Sequence, residues 1–170
     1  MMKIRVLAII VCLLAAGSLF AAGGNANLQP LAGSWTCTGV AFASDMGPEH
    51  PTKATVSSAW ILGDKWLRVD YKEMKTAKNP HPVSAEMLMT YNEPEKKIAS
   101  GCIDNMGGYC TEEAPGWDGD KLELNGQGNF GGHTMKVRDT FTKGKGWVKH
   151  MGEVEMNGKW TKLDEETCKK

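Results

Sequence analysis

Leu31-Ala32-Gly33-Ser34-Trp35 is the stretch at which the character of this 170-residue chain changes. Before it lies an apolar, small-residue leader, and after it the chain alternates between short strand-like runs and turn residues. A glycine that frees the backbone, followed by a tryptophan two residues on, places a large buried ring at the start of the first strand.

On the N-terminal side, Lys3 and Arg5 precede an apolar run from Val6 to Leu14, then Ala15-Ala16-Gly17-Ser18 and Ala21-Ala22-Gly23-Gly24. A basic start, a short apolar core and small residues at the exit define a secretory signal peptide over residues 1–24, with cleavage sites between Ala22 and Ala26. The apolar core is shorter than the ~20 residues needed to cross a bilayer. No stable membrane insertion is therefore expected after cleavage. Cys12 lies within the apolar run behind bulky Ile10 and Val11, and is expected to leave with the signal.

The full chain carries 20 basic and 20 acidic groups, and losing Lys3 and Arg5 makes the remaining domain, residues 28–170, slightly acidic. That balance provides no attraction to nucleic acid or anionic membranes. Of the five cysteines, Cys37, Cys102, Cys110 and Cys168 remain, an even set in an exported and oxidising setting, periplasmic or secreted. Two disulfides are expected, and four cysteines allow three pairings.

On the C-terminal side of Trp35 the chain shows almost no helical periodicity. Strands are predicted over Ser34 to Ala43, Lys53 to Leu62, Trp66 to Lys75, Val83 to Tyr91, Lys97 to Asp104, Gly108 to Glu113, Lys121 to Asn125, Asn129 to Lys143, Gly146 to Met156 and Lys159 to Cys168. Gly63-Asp64, Asn92-Glu93-Pro94, Asp118-Gly119, Lys143 to Gly146 and Asn157-Gly158 supply turns between them. Short links make neighbours antiparallel. About ten strands in succession favour closure into an all-β up-and-down barrel, because closure removes both exposed edges; a β-sandwich is the alternative. In a closed meander the first strand meets the last, which favours Cys37–Cys168, and Cys102 and Cys110 flank the turn Asn105 to Gly108. Cys168 shares a strand face with Lys162, Asp164 and Glu166, read as solvated, so this bridge is placed on the outer wall or beyond the regular pairing.

Gly33-Ser34-Trp35 resembles the Gly-x-Trp signature of lipocalins and related calycins. Gly33 to Gly39 also resembles the start of the haem-binding nitrobindin barrels, with Cys37 replacing a glycine. The chain is most similar to a bacterial calycin-like family, domain of unknown function 1579, through that opening, the Trp-rich hairpin Trp60 to Leu67, the turn Tyr91-Asn92 and the final hairpin at Asn157-Gly158. The resemblance implies a barrel interior able to hold a small apolar molecule. Lipocalins also pack a C-terminal arginine over the opening tryptophan, whereas here only lysines, Lys159, Lys162 and Lys169, are available.

Period-two alternation points Val83, Ala85, Met87, Met89 and Tyr91 to one face, Met135, Val137 and Phe141 to another, and Leu67, Val69 and Tyr71 to a third. A ligand-binding wall is expected from Met87, Met89, Tyr91, Met135, Val137 and Phe141, with Trp35 on the barrel floor. The long links Ser44 to Thr52 and Thr76 to Pro82 fall at one end and mark the mouth, near Asp45, Met46, His50 and His81. The expected partner is a small apolar or amphipathic molecule, with no cofactor. A filled structural barrel is one alternative. Haem or copper is another, through His50, His81 and His133 with Met87-x-Met89 and His133-x-Met135, or through an inward His133 or His150 as haem ligand. Asp118-Gly119-Asp120 lacks an EF-hand ligand pattern and reads as a turn. No nucleophile elbow, zinc-protease motif or phosphate loop occurs, and Glu153, Glu155, Asp164, Glu165 and Glu166 read as a solvated face, so no enzyme activity is expected.

Overall fold

The computed structural model describes residues 25–44 and 47–170. The expected signal peptide, and Asp45 and Met46 of the expected mouth, lie outside the described residues. After a short 3₁₀ helix, Gln29–Leu31, the strands are β1 (Gly33–Ala41), β2 (His50–Ile61), β3 (Trp66–Glu73), β4 (Ser84–Asn92), β5 (Lys97–Asp104), β6 (Tyr109–Ala114), β7 (Trp117–Asp118), β8 (Lys121–Phe130), β9 (His133–Gly144), β10 (Trp147–Met156) and β11 (Lys159–Lys169).

Each long strand pairs antiparallel with its neighbour in sequence. β1 pairs with β11, and β6 reaches past the two-residue β7 to pair with β8. Those contacts close an all-β barrel of ten strands, with β7 a short spur on the start of β8. No helix among the described residues is long and apolar enough to cross a membrane.

The largest departures from the expected strand boundaries lie between β8 and β9 and at the start of β2. Residues 126–128 were predicted to separate two strands, yet they lie inside β8. Gly126 faces Glu112 and Gly128 faces Cys110 across the β6–β8 ladder, and a Cβ on Gly126 would collide with the Thr111 carbonyl. These glycines permit close strand approach. The real turn is Gly131-Gly132, both with positive φ, at 60° and 84°. At the other boundary β2 begins at His50 rather than Lys53, with Pro51 opposite Val40 near the end of the ladder. A proline there forfeits one bond without interrupting the sheet.

Both disulfides join directly opposed residues. Cys37 and Cys168 close the first strand on the last with their Cα atoms 3.9 Å apart, and Cys102–Cys110 spans the β5–β6 hairpin at 5.0 Å. The outer-wall placement of the first bridge is corrected: Cys37 is fully buried, and Cys168 lines the interior with Glu166 and Asp164. Two such bridges are the chemistry of an oxidising compartment.

One end of the barrel is plugged. Leu28 and Leu31 are buried there with Trp35, whose Nε1 donates to the Leu31 carbonyl at 3.3 Å. Ser58 Oγ donates to the same carbonyl, and Trp117 Nε1 donates to that of Asn27. Lys170, one residue beyond β11, holds its ammonium 4.6 Å from the centre of the Trp35 ring. The cation over the opening tryptophan is thus Lys170, and not Lys159, Lys162 or Lys169, the lysines singled out in the sequence.

Candidate functional site: an acid-lined chamber in the barrel

The plugged end and the long β1–β2 and β3–β4 links at the other end leave a cavity of about 580 Å³ along the axis. His50 and His81 stand at its mouth with Pro48 and Asn79, and Leu31 and Trp35 form its base. Val56 of β2, Val69 of β3, Ala85, Met87 and Met89 of β4, and Val137 and Phe141 of β9 supply an apolar wall. Of the six residues expected in this wall, Met87, Met89, Val137 and Phe141 line the cavity, whereas Tyr91 and Met135 pack against the surrounding core clusters.

The wall around the seam is charged. Two successive inward tiers cross the seam of the barrel: Gly39, Glu166, His150 and Phe141 in one, and Ala41, Asp164, Gly152 and Asp139 in the next. His150 bridges two carboxylates, with Nε2 3.1 Å from Asp139 Oδ1 and Nδ1 3.1 Å from Asp164 Oδ1. Both ring nitrogens can donate together only in the imidazolium form. Burial alone would lower the His150 pKa, but the flanking Asp164 and Asp139 carboxylates overcome it and hold the ring well above the ordinary histidine range. Phe141 lies beside the imidazole, with the ring centres 4.9 Å apart.

Around this triad sit further acids. Tyr71 Oη donates to Glu166 Oε1 at 3.1 Å. Burial raises the Glu166 pKa, and Asp164 adds to that rise against the hydroxyls of Thr52 and Tyr71. Burial and the neighbouring carboxylates also push the Tyr71 phenol far up. Glu112, only 2% exposed, lies against Asp139 and leaves its Oε1 without a hydrogen-bond partner. Burial, then the Asp139 charge, push its pKa up to about 9. Glycine makes this crowding feasible: a Cβ on Gly152 would lie 2.7 Å from Asp164 Oδ2, and a Cβ on Gly39 would strike the Glu165 carbonyl.

The expected solvated acidic face is therefore corrected. Asp164 and Glu166 point inward because the partners of β11 set its register, and the apolar-inside rule fails where glycine and histidine stand opposite. Glu153 is buried too, held by Arg138 through Nε at 2.8 Å and Nη2 at 2.7 Å. Glu155 and Glu165 do lie on the outside, paired with Lys136 and with Lys149 and Lys162 respectively. Asp139 was absent from the sequence-derived site, although it sits between Val137 and Phe141 at period two, and counting every second residue would have found it.

The histidines expected at a metal site are dispersed. His50 is engaged locally, its Nδ1 donating to the Pro48 carbonyl at 3.0 Å and its Nε2 3.4 Å from Glu73 Oε1. His81 is exposed at the rim, and His133 is exposed at the first position of β9, outside the cavity lining, which corrects its expected inward direction. His150 faces inward as expected, but carboxylates occupy both its nitrogens. Among the described residues, the grouping with metal-ligand spacing is Cys37, Glu166 and Cys168, and its two sulfurs are already joined as a disulfide.

No curated protein matches the chain. Among solved structures, it is similar to Rv2717c from M. tuberculosis, with a TM-score of 0.68 at 14% identity over 86% of this chain and 98% of the other. At that identity the likeness concerns the fold alone. The family model described as "Protein of unknown function (DUF1579)" matches residues 24–170, which takes in the whole of the described barrel, and the chain belongs to that family.

Proposed function

We propose that this protein is an exported binding barrel, periplasmic or secreted, that holds one small apolar or amphipathic molecule non-covalently in its chamber. The observation that carries the reading is the cavity of about 580 Å³, inside the ~300–1,000 Å³ range of small-molecule sites and closed at one end only. Its apolar wall on β2, β3, β4 and β9 offers burial, while the polar wall on β10 and β11 offers orientation. A barrel serving only as a structural module would fill this space with side chains, as small barrels do. The signal-like leader and the two disulfides support export.

The test is saturable binding of N-phenyl-1-naphthylamine, a neutral apolar dye, to the oxidised protein, with native mass spectrometry of an untreated sample beside it. One-to-one uptake is expected, lost when Met87→Trp fills the chamber. Absence of saturable uptake, or uptake unaffected by the filling variant, would overturn the reading.

A further inference from the structure

Resting on the reading above, we propose that the polar end of the bound molecule is a protonated amine, seated against the Asp164 and Glu166 carboxylates with its apolar body along Val69, Met87 and Val137. The chamber is lopsided in charge. Asp139, Asp164 and Glu166 face it, and the cationic group among them is His150, which Asp139 and Asp164 already share. The other basic groups lining the cavity, His50, Lys78 and His81, stand at the mouth. Arg138 is engaged with Glu153.

The set is also nearly all acceptors. Ionised carboxylates accept only. An ammonium has three N–H donors and no acceptor, which complements this wall. A carboxylate or phosphate head would instead meet like charges, and a hydroxyl head would leave the excess charge unmatched. The tyrosine that bonds Glu166 adds an aromatic ring beside the same position, a surface suited to cations.

The experiment compares three molecules with one chain and different heads, dodecylamine, dodecanol and dodecanoate, as competitors of N-phenyl-1-naphthylamine bound to the full disulfide-bonded protein at neutral pH. Dodecylamine is expected to displace the dye at a concentration about tenfold below dodecanol, and dodecanoate to be the weakest, since a charge-assisted contact is worth about that factor. Glu166→Gln and, separately, Asp164→Asn should shrink the preference for amine over alcohol, measured within each variant, to about threefold or less. Equal displacement by amine and alcohol in the native protein, or a preference that survives both variants, overturns the amine assignment and leaves the binding function standing. A protein that takes up no dye overturns both.

Discussion

Glu112→Gln is expected to stabilise the barrel at neutral pH although it replaces a buried native side chain. The Glu112 pKa is pushed from the ordinary 4.5 to about 9 in the folded state, first by burial and then by Asp139. In the unfolded chain the group ionises normally, so folding at pH 7 must take up a proton. A raised folded-state pKa gives stability that is complete below 4.5 and is lost as the pH climbs towards 9. At about 1.4 kcal/mol per pH unit, the penalty at pH 7 is roughly 3 kcal/mol. Glutamine keeps the shape, donates an N–H to Asp139 and takes up no proton. His150 also titrates upward in the folded state, so its contribution is complete below its unfolded value and falls as the pH rises above it. That slope is common to both proteins and cancels in their difference. Urea unfolding followed by tryptophan fluorescence, disulfides intact, should show the two proteins nearly equal near pH 5 and the variant ahead by about 3 kcal/mol at pH 7, the gap widening towards pH 8. Parallel stability profiles, or a variant weaker than the native protein at pH 7 and 8, would falsify the assignment of Glu112 as a buried neutral acid.

Removing the seam bridge with Cys37→Ser and Cys168→Ser should cost about 5 kcal/mol in the chain-entropy model, given its separation of 131 residues, against about 2.5 kcal/mol for the Cys102–Cys110 pair at a separation of 8; denaturation midpoints of the two double variants would rank them, and the reverse ranking would refute the closure argument. Gly39→Ala puts a methyl into the backbone of the adjacent strand at Glu165, so a loss of about 3 kcal/mol or more is expected by the same assay. Leu62 is exposed and sits at φ 51° in the β2–β3 turn; Leu62→Asn should raise stability by about 0.5–1 kcal/mol, since asparagine tolerates that conformation better, and a loss in thermal midpoint would contradict it.

The fold was largely legible in the residues, and the site only in half. β4 announces itself because Ala85, Met87 and Met89 alternate with Ser84, Glu86 and Thr90, the pattern of a strand with one apolar face. The Cys37–Cys168 bridge followed from topology, since a closed meander must bring its ends together. β11 was misread because its inward residues, Asp164 and Glu166, are polar, and single-strand patterning assigns polar residues to water. What turns them inward is nonlocal: Gly39 across one ladder and His150 and Gly152 across the other. The same limit hid the inward role of Gly126, which looks like turn chemistry until Glu112 is seen opposite. Glycines that relieve a loop and glycines that make room for a facing strand look alike in sequence.

The position of the seam has a consequence for how the molecule is made. β1 is the first strand to be synthesised, yet one of its two partners is β11, the last. Whatever order the intervening hairpins adopt, the sheet cannot become a cylinder until the final residues have arrived. Until then the partner of Cys37 is missing, whereas Cys102 and Cys110, 8 residues apart, can meet within one hairpin.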